Sequence, residues 1–339
     1  MASYTRAEAR DWAREHLRGV INVLLPSFTN DLRGVNEAAI RHDVRRQLHF
    51  GFDGALLVSE VVISQDEYRR FCEIAADEAA GRQLFVHHSS WSTLAHAVEA
   101  LKIAEDTGAE LILLSYPPNF YPTSERDIYD YTRAICDATD LAVMLFPMFL
   151  WGFAPRIHPS DIPVSLLRRL IDDCPNVVAI KAEGGFPGIM GVVECHRHFG
   201  AEVVISCPIE SELIPLSQVM PIRLTATSDH EYFGPMIPRV FGHLERREFD
   251  AATDLYWQLH PARRAKAALA PQLHGGAFLN RQAWKFQGWL QGYNGGPLRQ
   301  PTQRIHDPQM NALRKGLVDA GLEPSMDPYG DFFIGRNPA

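Results

Sequence analysis

The chain has 339 residues, 46% of them hydrophobic, and carries 33 basic and 41 acidic side chains for a formal net charge of −8. That length can bury one large core, and the interspersed acidic balance excludes the basic footprint that nucleic acid or an anionic membrane surface requires. The five scattered cysteines form no CxxC pair, which excludes a disulfide frame and a structural zinc site.

Residues 1–18 read as a charged N-terminal helix with no apolar signal-peptide region, and no later stretch approaches membrane-span length, so a cytoplasmic protein is expected. Residues 20–25 then read as a first strand stopped by Pro26, followed by a helix over 36–48. A turn at Gly51-Phe52-Asp53-Gly54 leads into a second strand, 55–59, and a helix over 64–80 capped by Ser64 with Glu67 three residues on. Further strands are expected at 83–87, 110–115, 141–146, 177–181, 202–207 and 222–227, with helices at 92–107, 125–138, 163–173, 188–198 and 210–220. Eight strands, each followed by a helix, are what an α/β fold of the closed (β/α)8 TIM-barrel type needs. No GxGxxG follows the first strand, so a dinucleotide-binding sheet lacks its signature. The barrel is assigned to residues 19–234 and a C-terminal helical extension to 235–339, with helices at 249–260, 281–292 and 307–320 around a Pro/Ala/Gln/Gly-rich passage.

One stretch stands apart. In NVVAIKAEGG, the buried run Val177-Val178-Ala179-Ile180 ends on Lys181, whereas the other four lysines lie in stretches that read as helical or connecting. An ammonium at that place reaches solvent, pairs with a carboxylate such as Glu183, or sits desolvated and able to lose its proton. Only the last of these makes it a nucleophile, one that attacks a carbonyl to form an imine. Barrel active sites lie at the C-terminal strand ends. There the other strands deliver Ser59-Glu60, His87-His88, Tyr116 with Tyr121, Phe146 to Phe149, Ser206-Cys207 and Asp229-His230.

The segments from Arg18 to Glu60, from Ala104 to Phe146, NVVAIKAEGG, and GGPLRQPTQRIHDPQMNALRKGLVDAGL resemble the dihydrodipicolinate synthase / N-acetylneuraminate lyase family, in the same order and spacing, over residues 19–322. The resemblance implies a (β/α)8 barrel with C-terminal helices, Lys181 as the Schiff-base residue toward an α-keto acid, no metal, no organic cofactor, and a homo-oligomer, tetramer or dimer. The chain is similar as a divergent member. The family's GTTGE-like carboxylate-binding turn is replaced by Leu56-Leu57-Val58-Ser59-Glu60, and Phe146 stands where its fifth strand ends on a proton-shuttling tyrosine. A further family tyrosine falls near Asn119 or Tyr121.

Histidine carries protons near neutral pH, so His88 and His230 join Tyr121 as candidates for the missing relay beside Lys181. Alternation along the strand lets only one of His87 and His88 face the barrel, and no histidine spacing suggests a metal. Ser59, Tyr116, Phe146, Phe149 and Ser206 are the expected substrate contacts, the aromatic ones forming an apolar wall. The reading is a class I aldolase-like lyase that makes or breaks a C–C bond through a lysine imine, on a keto-acid-like small molecule with a bulky apolar portion. A dehydratase or decarboxylase using the same imine, and a non-catalytic ligand-binding barrel, stand as alternatives.

Overall fold

Short apolar runs with no alternation form strands when both faces are covered, and that is how this chain builds its sheet. In the computed structural model the strands are β1 (Gly19–Leu24), β2 (Gly54–Leu57), β3 (Leu84–Ser89), β4 (Leu111–Leu114), β5 (Ala142–Leu145), β6 (Val177–Lys181), β7 (Val204–Ser206) and β8 (Leu224–Ser228). They lie in sequence order and close into a barrel. The pairings from β2 to β8 are parallel, with Leu145 opposite Ile180 and Lys181 opposite Ser206. The fold is a (β/α)8 barrel with C-terminal helices. The structure describes residues 3–183, 189–274 and 280–339; Gly184 and Gly185 of the NVVAIKAEGG segment and Gly188, where the seventh helix was expected to start, lie outside them.

The chain divides into two compact units: Met1–Ile21, Asp53–Glu60 and Leu84–Ser228 form the first, and Asn22–Phe52, Val61–Gln83 and Asp229–Ala339 the second. In the first, strand residues such as Val86, Ile112, Met144, Ile180 and Ile205 are buried, as are Ala97, Ala100, Leu101 and Ala104 of the helix Leu94–Thr107. In the second, an aromatic core joins Phe286, Trp289 and Phe332, with ring centroids 5.1 to 5.9 Å apart. The helix Glu37–Phe50 belongs there too, capped by Asn36 and ended by Gly51 at φ +80°, a conformation glycine adopts without a Cβ penalty.

The C-terminal region is more helical than the sequence suggests. Helix His260–His274 occupies much of the Pro/Ala/Gln/Gly-rich passage. Pro261 sits in its first turn, where a missing N–H breaks no helical hydrogen bond. Two helices are additional. Met236–Glu245 contains Pro238 and Gly242, which obscure its pattern, yet it buries Met236, Ile237, Val240, Phe241 and Leu244. Tyr329–Ile334 is only six residues long. The expected helix at 210–220 is a 3-10 turn, Glu210–Glu212, followed by the helix Leu213–Val219. Among the described residues no helix is long and apolar enough to cross a membrane.

Candidate active site

The last residue of β6, Lys181, is 5% exposed. Its Nζ lies 3.7 Å from the centroid of the Phe146 ring, which follows β5. Nζ also contacts Glu183, whose Oε2 lies 3.1 Å away. The backbone explains the pairing. After β6 the Glu183 N–H donates to the Lys181 carbonyl at 3.1 Å, a tight turn, while the Ala182 N–H donates to the Ser206 carbonyl at 3.0 Å. The amine is thus covered by an aromatic ring and also paired with a carboxylate; two of the environments open to a strand-end lysine occur together.

Two further ionisable groups feel the Glu183 charge. Burial raises the Glu212 carboxyl pKa, with the Glu183 charge adding to it. The Cys207 thiol is pushed up to about 12 by burial, opposed by a backbone hydrogen bond at Ile209, with the Glu212 and Glu183 charges adding to the rise. From Phe146 the rings continue: Phe146 meets Trp151 edge-on at 5.7 Å, Trp151 meets Tyr116 at 5.7 Å, and Tyr116 stacks on Phe120 at 5.4 Å. Met148 and Phe153 are buried as well. Phe149 departs from expectation. It opens the 3-10 turn Phe149–Trp151 and is 58% exposed, because the backbone has left strand geometry and strand alternation no longer sets its direction.

The expected polar contacts are occupied by the protein itself. Ser59 Oγ donates toward the carbonyls of His88 at 2.8 Å and Ser90 at 3.1 Å, so its single proton is committed. Ser90 Oγ in turn donates to Glu60 Oε1 at 3.0 Å. Ser206, fully buried, donates to the Ala226 carbonyl and accepts from the Ala226 N–H, both at 3.0 Å, which ties β7 to β8. The Tyr116 hydroxyl lies 2.7 Å from Thr132 Oγ1, and burial raises its pKa, opposed by that hydrogen bond.

Of the three relay candidates, His88 and Tyr121 belong to the first unit and His230 to the second. His88 is buried on β3 with Nε2 3.1 Å from Ser115 Oγ. His87 is buried too, and desolvation, with the His88 charge second, lowers its pKa to about 3, so it stays neutral. Tyr121 is 69% exposed, beneath the Arg156 guanidinium at 3.9 Å from its ring. His230 belongs to the second unit, buried in the 3-10 turn His230–Phe233 with its N–H donating to Asn22 Oδ1 at 2.8 Å. Sequence reasoning treated Glu183 as a neutralising partner and passed over Glu212; the pairing is made by the turn that follows β6.

Two features of the second unit were also unforeseen. Lys285, on the helix Arg281–Leu290, is 5% exposed and donates to the Pro26 carbonyl at 3.1 Å. Burial lowers its pKa to about 8, opposed by the Asp43 charge, and Asp43 is itself raised to about 6 by burial, opposed by the Asn294 N–H and then by Lys285. Among the described residues no group of three His, Cys, Asp or Glu could hold a metal ion.

The model of the dihydrodipicolinate synthetase family matches residues 16–204. The 4-hydroxy-tetrahydrodipicolinate synthase of Methanopyrus kandleri is 22% identical over 313 residues, 91% of this chain and 98% of that protein. Other synthases of that name match over 56% and 55% of their own length. Among solved structures, the dihydrodipicolinate synthase of Oceanobacillus iheyensis superposes with a TM-score of 0.75 at 16% identity, covering 92% of this chain and 99% of that one. The N-acetylneuraminate lyase of Fusobacterium nucleatum does so with a TM-score of 0.73 at 19% identity, covering 89% and 98%. At such identities the superpositions show the fold, while the family match covers more than half of the chain. The buried strand-end lysine, the closed barrel and the family match agree: the chain belongs to the dihydrodipicolinate synthetase family and is a class I aldolase-like lyase.

Proposed function

We propose that Lys181 forms an imine with the carbonyl carbon of a keto-acid-like substrate, and that the iminium draws electrons from an adjacent C–C bond that is then made or broken. The observation that carries this reading is the position of the amine: at the C-terminal end of a barrel strand, nearly closed to solvent, 3.7 Å from the Phe146 ring. The ring cluster Phe146, Trp151, Tyr116 and Phe120 supports an apolar, aromatic portion in the substrate. Ser59 supplies no proton to a substrate carboxylate in this arrangement.

Borohydride reduction in the presence of pyruvate and, separately, phenylpyruvate tests the reading. The expected result is a covalent adduct on the peptide carrying Lys181, more abundant with phenylpyruvate, and absent in Lys181→Met. Turnover in that variant is expected to fall by at least about a thousandfold. An aldehyde fragment among the products marks C–C cleavage and separates it from dehydration or decarboxylation. Failure of the wild-type protein to form an adduct with either compound would overturn the proposal.

A further inference from the structure

An imine-forming amine needs a group that takes and returns protons, and the ring above Lys181 has none to offer. Phe146 is a hydrocarbon face 3.7 Å from Nζ. The contact with Glu183 is different in kind: its carboxylate lies at 3.1 Å, on a side chain 25% exposed while that of Lys181 is 6% exposed. The amine is shut off from water, and the carboxylate touching it is not. We propose that Glu183 is the acid–base residue of Lys181 chemistry, relaying protons between the amine, the oxygen of the carbonyl compound and solvent. This inference rests on Lys181 being the imine-forming residue.

Among the described residues of the first unit, the other candidate groups have these contacts. The Tyr116 hydroxyl is engaged by Thr132, His88 Nε2 lies against Ser115, and Tyr121 is exposed under Arg156. Glu212 is partly buried, and burial together with the Glu183 charge raises its pKa, whereas Glu183 is the carboxylate in contact with the amine. The steps balance. Glu183 takes one proton from the ammonium, and the free amine attacks the carbonyl carbon as the C=O π electrons move to oxygen. Glu183 gives its proton to that oxygen and takes one from the now tetravalent nitrogen, leaving a carbinolamine. It then protonates the hydroxyl, the C–O bond breaks, and water departs. One ammonium and one ketone become one iminium and one water, and Glu183 ends as the carboxylate beside the new cation.

The experiment measures the initial rate of cyanoborohydride trapping of pyruvate and of phenylpyruvate at Lys181, at pH 7, in wild type, Glu183→Gln, Glu183→Ala and Glu183→Asp. Circular dichroism confirms that each variant is folded. The expected result is a fall of about a hundredfold in the Gln and Ala variants, an intermediate rate in Asp, and a formate-dependent recovery in Ala, which a purely structural role would not produce. If Gln and Ala do not fold, Asp carries the test, with an intermediate rate expected and a wild-type rate overturning the proposal. If Gln traps as fast as wild type or faster, the carboxylate only holds the ammonium in place and the proposal is overturned while Lys181 keeps its role. If both variants are slow and formate restores nothing, Glu183 merely positions the amine, and the proposal is likewise overturned. Absence of an adduct in the wild type removes the Lys181 reading and this inference with it.

Discussion

A lysine that closes an apolar strand is conspicuous because each alternative environment for its charge leaves a mark, and Lys181 carries two of them, an aromatic cover and a carboxylate. Ser206, its neighbour in the barrel register, is the opposite case. Its position at a strand end suggests a substrate contact, whereas its hydroxyl bridges both polar backbone groups of Ala226. Ser206→Ala leaves those two buried groups without that partner and is expected to destabilise the fold by about 1–3 kcal/mol. Denaturant unfolding measures this; unchanged stability together with a weakened substrate dependence of trapping at Lys181 would restore Ser206 to the substrate site.

At the scale of elements, caps and turn chemistry were readable and exposure at the strand ends was not. Ser64 and Glu67 form the expected capping box at the start of Gln65–Ala79. Nothing in the local pattern revealed that Glu67 is also held by Arg299 through two contacts of 2.6 and 2.7 Å, an association across more than two hundred residues of chain. The Arg299 hydrogen bond is the first cause that lowers the Glu67 pKa to about 2, with the cap bonds from Ser64 adding to it and desolvation opposing. Ser64→Ala is expected to cost about 1 kcal/mol. Glu67→Gln is expected to cost more, since it removes the charge that Arg299 pairs with. Because the folded pKa is depressed, the Glu67 contribution is present above the ordinary carboxylate range and is lost as pH falls toward about 2. Unfolding at pH 7 and pH 3 checks this: the penalty of Glu67→Gln should shrink at the lower pH. The same division explains His87 and His88. Alternation predicts that one of them faces the barrel, but a strand covered on both faces buries both, so exposure carries no trace of direction. Phe149 escaped for a related reason, since a 3-10 turn follows β5 and the period of two ends with the strand. Strand order and the Lys181 position were legible from hydrophobic runs alone, while the Glu183 contact depended on a turn that begins where the run stops.

At the scale of the whole molecule, the second unit holds a group of buried ionisable side chains. Asp43, Glu231, Lys285 and Tyr293 line one cavity with Trp284. Burial raises Glu231, with the Asp229 charge adding to it and Lys266 opposing, and Tyr293 is raised by burial first and then by the Glu231 and Asp43 charges. His42 also bears on Asp43. The two ends of the Asp43–Lys285 couple titrate against folding in opposite senses. The Asp43 carboxyl has a raised folded pKa, so its contribution is full below the ordinary carboxylate range and is lost as pH rises through about 6. The Lys285 amine has a lowered folded pKa, so its contribution is full above the ordinary lysine range and is lost as pH falls through about 8. Between about 6 and 8 both are charged in the folded state, both carry a desolvation cost, and their mutual attraction offsets only part of it. The double variant Asp43→Asn, Lys285→Met removes both charges. Relative to wild type it is expected to gain most at pH 7, on the order of 1–4 kcal/mol, and to gain less at pH 5 and pH 9.5, where one partner of the wild-type couple is already neutral. Urea unfolding of both proteins at the three pH values measures the difference. A gain independent of pH would show that these two groups do not change protonation on folding, and a loss at pH 7 would show that their attraction exceeds the cost of burying them.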